Sequence, residues 1–176
     1  MSRIRVFIAC SLDGFIAGPK DELDWLPSDH EGIEDTFTPF LAQIGALLMG
    51  RRTFDVCCGF AEWPYGETPV LVATARPLRS TRPTVEPVGG AIEEIVEVAR
   101  ARAGGRDVYL DGGALIRSAL DARLIDEITV TSIPLILGRG LPLFAGVTQR
   151  HGLDFVEHRH IGGGLVQTTY RPRHGD

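Results

Sequence analysis

The chain has 176 residues, of which 44% are hydrophobic, and this is enough for one domain with a core that needs no disulfides. The formal net charge of −5 argues against a nucleic-acid-binding protein, which needs a basic surface to displace phosphate counterions. We therefore expect a single domain over residues 1–176 with no nucleic-acid partner.

The first half of the chain alternates between strand and helix patterns. The predicted elements are a strand at Arg3–Ser11, an apolar segment at Phe15–Ala17, a helix at Glu31–Gln43, a strand at Ala46–Met49, a short helix near Thr53–Cys58 and a strand at Val70–Ala73. A polar loop through Asp29 separates the first segments from the helix. That helix is predicted because Ile33, Phe37, Phe40, Leu41 and Ile44 fall on one face.

The second half of the chain ends in strands only. The predicted elements are a helix at Ala91–Arg102, a strand at Asp107–Leu110, a helix at Ala114–Ala122, a strand at Ile125–Ile133, and a hairpin of Leu153–His160 and Leu165–Arg171 around Gly162–Gly164. Strands that alternate with helices favour a parallel sheet covered on both faces. The predicted fold is therefore a three-layer αβα structure, with a mainly parallel mixed sheet and a C-terminal antiparallel hairpin.

The cysteines and the apolar runs predict a cytoplasmic location. Cys10, Cys57 and Cys58 cannot all pair, and there is no C-x-x-C metal-binding pair, so we expect three reduced thiols. The N-terminal residues enter a strand pattern without a charged-then-apolar leader. No apolar run approaches the roughly 18 residues that a membrane span needs. We therefore expect no membrane partner.

The segment Ala46–Phe54 is typical of a phosphate-binding turn. An apolar strand ends at Gly50, and Arg51, Arg52 and Thr53 follow where a helix can begin. A glycine lets the backbone approach a ligand closely, and the first N–H groups of a helix lack internal partners and can face an anion. The alternative is an ordinary strand-to-helix turn whose arginines are only solvated.

A second turn of the same kind lies in Val108–Leu120. A β-rich run enters Gly112-Gly113, and a helical pattern follows with Leu115 and Ile116 on its apolar face. Two such turns in one small domain suggest a ligand with two separated phosphate groups, such as a dinucleotide.

Other common sites are missing from the sequence. There is no G-x-x-x-x-G-K-[ST] loop, no G-x-S-x-G turn and no H-E-x-x-H pair. The G-x-G at Gly138–Gly140 is followed by Pro142 rather than by a helix, so it lacks the context of a dinucleotide fingerprint. His158 and His160 share a strand face but have no third ligand nearby, and we predict no metal site.

Four motifs, in this order, resemble the dihydrofolate reductase-like superfamily. They are S-L-D-G-F-I-A at Ser11–Ala17, L-L-M-G-R-R-T-F at Leu47–Phe54, Y-L-D-G-G-A-L-I at Tyr109–Ile116 and I-P-L-I-L-G-R-G-L-P-L-F at Ile133–Phe144. They are most similar to the branch that contains the riboflavin-biosynthesis reductase, which is the C-terminal half of a bifunctional deaminase-reductase. The deaminase half has no counterpart in this chain.

The resemblance implies an NADPH-dependent reductase, and it assigns cofactor contacts by position. Gly50, Arg51, Arg52 and Thr53 would hold the adenosine-side phosphates; Thr74 and Arg76 would flank the adenosine and its 2′-phosphate; Gly112, Gly113, Ala114 and Leu115 would hold the pyrophosphate; Ala9 and Ile16 would border the nicotinamide. The arginines favour NADPH over NADH, because a 2′-phosphate needs a cationic partner. The implied substrate is a small pteridine- or pyrimidine-like compound, such as 5-amino-6-(5-phosphoribosylamino)uracil or dihydrofolate.

The proton donor is predicted to be Glu34. Folate reductases carry a carboxylate on the helix after the first loop, and Asp24, Glu31, Glu34 and Asp35 are the candidates here. On a helix, Glu34 would lie roughly 75° from the centre of the apolar face, at the border of the buried side. Water, or a solvated helix start with no catalytic role, stays open as an alternative.

Two further expectations concern function and assembly. An NADPH-binding sensor or an antifolate-binding protein without turnover is the alternative to an enzyme. By resemblance we expect a homodimer, in which the apolar run Ile133–Leu137 forms either an interface strand or a buried core strand.

Overall fold

The computed structural model describes residues 2–28 and 31–173, so Asp29, where the predicted polar loop ends, lies outside the described residues. In chain order the elements are β1 (Ile4–Ser11), β2 (Phe15–Ala17), α1 (Phe37–Leu41), β3 (Ile44–Gly50), α2 (Arg51–Cys57), β4 (Val70–Ala73), β5 (Val85–Val88), α3 (Ile92–Arg102), β6 (Asp107–Asp111), α4 (Gly113–Asp121), β7 (Glu127–Ile133), β8 (Leu141–Pro142), β9 (Leu153–Gly162) and β10 (Leu165–Pro172).

The strands build one large sheet and one small one. The large sheet has eight strands in the order β5-β4-β3-β6-β1-β7-β10-β9, and β2 pairs with β8 separately. The strands from β5 to β7 in that order run parallel. β10 is antiparallel to β7 and to β9. The predicted mainly parallel sheet with a C-terminal antiparallel hairpin is therefore confirmed.

Helices cover both faces of the large sheet. Successive residues of a strand point to opposite faces. On β3 this places Leu48 in a core with Val96 of α3 and Ile116 of α4. Its neighbour Leu47 lies in the opposite core with Phe54 of α2. The three-layer arrangement predicted from the sequence is confirmed.

The predicted helix over Glu31–Gln43 is wrong at both ends. Pro39 has no N–H and its ring would clash with a helical carbonyl four residues earlier, so it is accommodated only in the first turn of a helix. The observed α1 starts at Phe37, and the Asp35 carboxylate accepts the N–H groups of Phe37 (3.1 Å) and Thr38 (3.0 Å). The preceding segment instead runs beside the sheet, where the Glu34 N–H donates to the Ile161 carbonyl at 2.7 Å.

Two short strands have no clear sequence signal. β5 is one of the two edge strands and carries Pro87, which interrupts the strand pattern and is tolerated at an edge. β8 consists of Leu141 and Pro142 only. Neither segment has the run of alternating residues from which a strand is predicted.

The segment that follows β7 is hydrogen-bonded to the Ser11–Ala17 motif. β7 ends at Ile133, and Leu135 and Ile136 are 37% and 69% exposed, so the predicted strand over Ile133–Leu137 is wrong. The Asp13 carboxylate accepts hydrogen bonds from the N–H groups of Leu137 (3.0 Å) and Gly138 (2.7 Å).

The homodimer that the resemblance implies stays a prediction.

In the part of the chain that the structure describes, no helix combines the length and the apolar character needed to cross a membrane.

Candidate functional site

A cleft opens at the carboxyl ends of the parallel strands. β4, β3, β6 and β1 lie side by side, and Ala73, Gly50, Asp111 and Ala9 from their carboxyl-terminal parts line the cavity. The cavity has a volume of about 580 Å³. Ligands of open α/β sheets bind at this edge, because the connections there leave a crevice.

Most of the residues predicted to contact a cofactor line this cleft. They are Ala9, Ile16, Gly50, Arg51, Arg52, Thr53, Gly112, Gly113, Ala114 and Leu115. Thr74 and Arg76 do not line it. They form a turn directly after the lining residue Ala73, in which the Arg76 N–H donates to Thr74 Oγ1 at 3.1 Å. The two glycine turns thus face a single cavity.

The two arginines of the first turn lie at the rim and already have partners. Gly50 is the last residue of β3 and the N-cap of α2. The Arg51 guanidinium donates to Asp55 at 2.8 Å and to the Pro77 carbonyl at 3.1 Å. Arg52 pairs with Asp21, on the loop across the cleft. These contacts are at the surface, where an ion pair is worth ~1 kcal/mol or less, so an anionic ligand can compete for both side chains.

The second turn requires glycine at position 112. Gly112 has φ +101°, in the region that side chains disfavour, and a Cβ there would lie 2.6 Å from Thr53 Oγ1. Its N–H donates to the Asp111 carboxylate at 2.7 Å and is therefore not free for a ligand. The first N–H bonded within α4 is that of Ile116, which donates to the Gly112 carbonyl at 2.9 Å. The backbone N–H groups of 113–115, at the helix start, precede this bond.

Ile16 and Arg117 close the space around Gly113. A Cβ on Gly113 would lie 3.0 Å from Ile16 Cδ1 and 3.0 Å from an Arg117 nitrogen. The Arg117 guanidinium donates to the carbonyls of Pro142 (2.7 Å) and Leu143 (3.3 Å). Arg117 thus fixes β8 against the start of α4, at the same end of the cleft as the second turn.

Asp111 is a titratable group between the glycine turn and the aromatic part of the cleft. One carboxylate oxygen accepts the Gly112 N–H, and the other lies 3.3 Å from the Tyr109 hydroxyl, which also donates to the Phe7 carbonyl at 2.9 Å. Burial raises the pKa of Asp111 to about 6, although the hydrogen bonds from Gly112 and Tyr109 oppose the shift. This carboxyl can therefore hold a proton close to neutral pH.

Aromatic residues and a thiol form the wall beyond Asp111. Tyr65, Tyr109 and Cys57 line the cleft and are each only 5% exposed. The Tyr65 hydroxyl lies 3.5 Å from Cys57 Sγ, and the Tyr65 and Tyr109 rings pack edge to face. Burial raises the pKa of the Cys57 thiol to about 11, so this cysteine stays protonated and packs as an apolar group.

Glu34 is not where the sequence predicted it to be. It precedes α1 instead of lying on a helix, its side chain is 50% exposed, and it forms an ion pair with Arg159 of β9. It is also outside the cleft lining. The other predicted candidates, Asp24, Glu31 and Asp35, are exposed too.

The sequence did contain a signal for Asp111. In the motif Y-L-D-G-G it directly precedes the glycine pair. A carboxyl at the end of a buried strand, next to a ligand-type turn, is a candidate functional group. Its raised pKa depends on burial in the folded chain and was not predictable from the motif.

Among residues 2–28 and 31–173 there is no cluster of three or more His, Cys, Asp or Glu side chains that could hold a metal ion.

Comparison with protein families identifies this architecture. Residues 63–167 match the family model described as the RibD C-terminal domain. The chain is 35% identical over 183 residues to the uncharacterized protein YyaP of Bacillus subtilis (strain 168), with 96% of this chain and 94% of that protein covered.

Solved structures share the fold. A putative riboflavin biosynthesis protein from Shewanella sp. PV-4 superposes with a TM-score of 0.87 at 32% identity, covering 98% of this chain and 99% of that one. The deaminase/5-amino-6-(5-phosphoribosylamino)uracil reductase of Thermotoga maritima superposes with a TM-score of 0.69 at 18% identity, over 98% of this chain but 57% of that longer one. The second likeness concerns the fold alone.

Proposed function

We propose, since the chain belongs to the RibD C-terminal domain family and has its dihydrofolate reductase-like fold, that it is an NADPH-dependent reductase of a small heteroaromatic compound. One observation carries the proposal: both glycine turns, the arginines beside the first turn and a carboxyl with a raised pKa line the same cleft.

The residues of the cleft fit this cofactor. Gly112 has no side chain where a Cβ would meet Thr53, so the second turn can lie close to the first and leave the helix start accessible. In the proposal, the N–H groups at the start of α4 bind the pyrophosphate, and Arg51 and Arg52 bind the adenosine-side phosphates. In the proposal, Thr74 and Arg76, which follow the lining residue Ala73, contact the adenosine end.

The chain's own residues would orient the reactants and supply a proton. The nicotinamide, when bound, supplies the hydride. In the proposal, Ala9 and Ile16 border it and exclude water with their apolar surfaces. Asp111 adjoins this region and is the group that we assign to hold the proton, in place of Glu34. Its pKa of about 6 leaves a fraction of the carboxyl protonated near neutral pH.

The proposal is tested by titrating NADPH and NADH into the protein and following nucleotide fluorescence. We expect NADPH to bind at least about tenfold more tightly than NADH. The Arg51→Ala, Arg52→Ala double variant should lose ~10- to 100-fold in NADPH affinity, since hydrogen bonds to charged groups contribute ~1.5–3 kcal/mol. Arg150→Ala, which removes an exposed arginine outside the cleft lining, is the matched control and should bind as the parent does.

Each outcome has a defined meaning. Absence of binding to either nucleotide would contradict the proposal. Tight NADPH binding with no oxidation across pyrimidine and pteridine substrates would contradict the enzymatic part and match the non-catalytic alternative. Equal affinity of the parent and the double variant would place the cofactor elsewhere than at the first glycine turn.

A further inference from the structure

We infer that the Tyr65 hydroxyl donates a hydrogen bond to a ring carbonyl oxygen of the compound reduced in this cleft, so that Tyr65 determines substrate specificity. This inference rests on the proposed function and names a further specificity residue of the same site. It depends on the buried polar side chains of the aromatic wall and on which of them already have strong hydrogen-bond partners.

Tyr65 brings a hydroxyl to the aromatic wall of the cleft. The residue lines the cleft and is only 5% exposed. Its hydroxyl lies 3.5 Å from the sulfur of Cys57, which lines the cleft as well. Burial, together with the negative charge of Asp111, raises the pKa of Tyr65 above its ordinary value. The hydroxyl therefore keeps its proton and remains a donor.

The Cys57 thiol is a weak partner for this hydroxyl. Among the described residues it is the only hydrogen-bond partner of the Tyr65 hydroxyl. A thiol is a weak donor and its sulfur a weak acceptor, whereas buried tyrosine hydroxyls usually have a stronger partner. The donor capacity of Tyr65 is therefore largely unused and is available to a ligand in the cleft.

The other hydroxyl of this wall, that of Tyr109, is already satisfied. It has one proton and two strong acceptors within reach, the Phe7 carbonyl at 2.9 Å and the Asp111 carboxyl at 3.3 Å. Tyr65 is therefore the hydroxyl that we assign to ligand recognition.

The surroundings of Tyr65 suit a planar ring that carries an acceptor. The Tyr109 ring packs against Tyr65 at a centroid distance of 6.5 Å, and aromatic side chains offer flat surfaces for a ring system. A ring carbonyl supplies the acceptor in the plane of the ring. In the proposed function Ala9 and Ile16 border the nicotinamide, so we assign this carbonyl to the substrate. The nicotinamide carboxamide is a second source of such an oxygen, and the affinity for NADPH distinguishes the two sources.

Tyr65→Phe removes the hydroxyl and keeps the ring. The ring retains its edge-to-face contacts with Trp63 (5.1 Å) and Tyr109 (6.5 Å), so the variant should fold as the parent does. Tyr170→Phe is the matched control, since it removes the hydroxyl of a β10 tyrosine outside the cleft lining.

The probes are quinazolin-4-one, a planar heterocycle with one ring carbonyl, and its thione, in which sulfur, a weaker acceptor, replaces the oxygen. Both are titrated by calorimetry into protein saturated with NADP⁺, so that binding is measured without turnover. We expect Tyr65→Phe to bind quinazolin-4-one about three- to tenfold more weakly than the parent and Tyr170→Phe do. For the thione, Tyr65→Phe and the parent should agree within about twofold.

Three results would overturn the inference. The first is equal affinity of the parent and Tyr65→Phe for quinazolin-4-one, or an equal loss for both probes, because the hydroxyl would then not bind the carbonyl. The second is absence of saturable quinazolin-4-one binding to the parent with a Kd below ~1 mM. The third is a loss of about tenfold or more in the NADPH affinity of Tyr65→Phe, which would assign the hydroxyl to the cofactor.

Failure of the proposed function has a different signature, since it would show as absence of NADPH binding to the parent protein. In that case the same comparison of the two probes on the cofactor-free protein still tests the role of Tyr65.

Discussion

Gly112→Ala is the substitution whose effect can be derived most completely from the structure. Gly112 has φ +101°, and the added Cβ would lie 2.6 Å from Thr53 Oγ1 and 3.5 Å from the Gly50 nitrogen. A Cβ at 2.6 Å requires the Thr53 hydroxyl to move, and Thr53 lies in the first turn of α2. The substitution therefore adds a backbone penalty to a steric one.

The two penalties can be estimated separately. Holding a residue with a side chain in a sparsely populated backbone region costs ~1–3 kcal/mol. Overpacking a well-packed position costs about 1–3 kcal/mol more. We expect a total loss of about 3 kcal/mol in the free energy of unfolding, which for a chain of this size corresponds to a fall in Tm of ~6–12 °C.

Gly105→Ala is the matched control. Gly105 has φ +89°, similar to that of Gly112, but a Cβ there would have no atom within 4 Å. Thermal and urea unfolding of the two variants should therefore differ by the steric term alone. Adding Thr53→Ala to Gly112→Ala should recover part of that difference, because it removes the hydroxyl that the Cβ meets.

A difference of less than about 0.5 kcal/mol between Gly112→Ala and Gly105→Ala would refute this reasoning, since values within that range are typical of neutral surface substitutions. It would mean that the two glycine turns are not packed as closely as the structure shows. NADPH affinity of Gly112→Ala, measured below its Tm, should also fall, because the second turn would be displaced from the first.

Four further predictions concern three carboxylates. Asp111→Asn should remove most of the reductase activity. The rate of the parent protein should fall as pH rises through about 6, which is the pKa of Asp111. A parent rate that does not change through that pH would contradict the assignment of Asp111 as the proton donor. The pKa of Asp111 in the folded chain exceeds the ordinary value of 3.8. The parent's free energy of unfolding should therefore fall as pH rises from about 4 to 6 in urea titrations, and that of Asp111→Asn should not. Glu34→Gln should keep kcat/KM within about twofold, because an exposed ion pair contributes little; a much larger loss would restore Glu34 as the proton donor. The pKa of Asp121 is lowered to about 2 by hydrogen bonds from His151 and Thr148, so Asp121→Asn should lower the urea midpoint at pH 7 but not near pH 2, and equal effects at both would contradict it.

The features that were predictable from sequence are those fixed by local backbone chemistry. The turns at Gly50 and Gly112 were located because a glycine between an apolar run and a helical pattern is a local signal. Pro39 was a local signal as well: it limits α1 to a start near Phe37, and the hydrophobic periodicity alone concealed this.

The features that were not predictable depend on contacts between distant segments. Glu34 lies outside the cleft because its segment runs beside β9, where the Glu34 N–H donates to the carbonyl of Ile161, a residue 127 positions later in the chain. The raised pKa of Asp111 arises from its burial in the folded chain, which outweighs the hydrogen bonds from Gly112 and Tyr109, and no short motif shows that burial.

A crystal structure of the protein with NADPH would test the proposed cofactor site. We predict nucleotide density in the cleft, with the pyrophosphate in contact with the N–H groups of Gly113–Leu115 and the adenosine-side phosphates near Arg51 and Arg52. Nucleotide bound at any other surface, with the cleft empty at saturating NADPH, would contradict the assignment of this cleft as the active site.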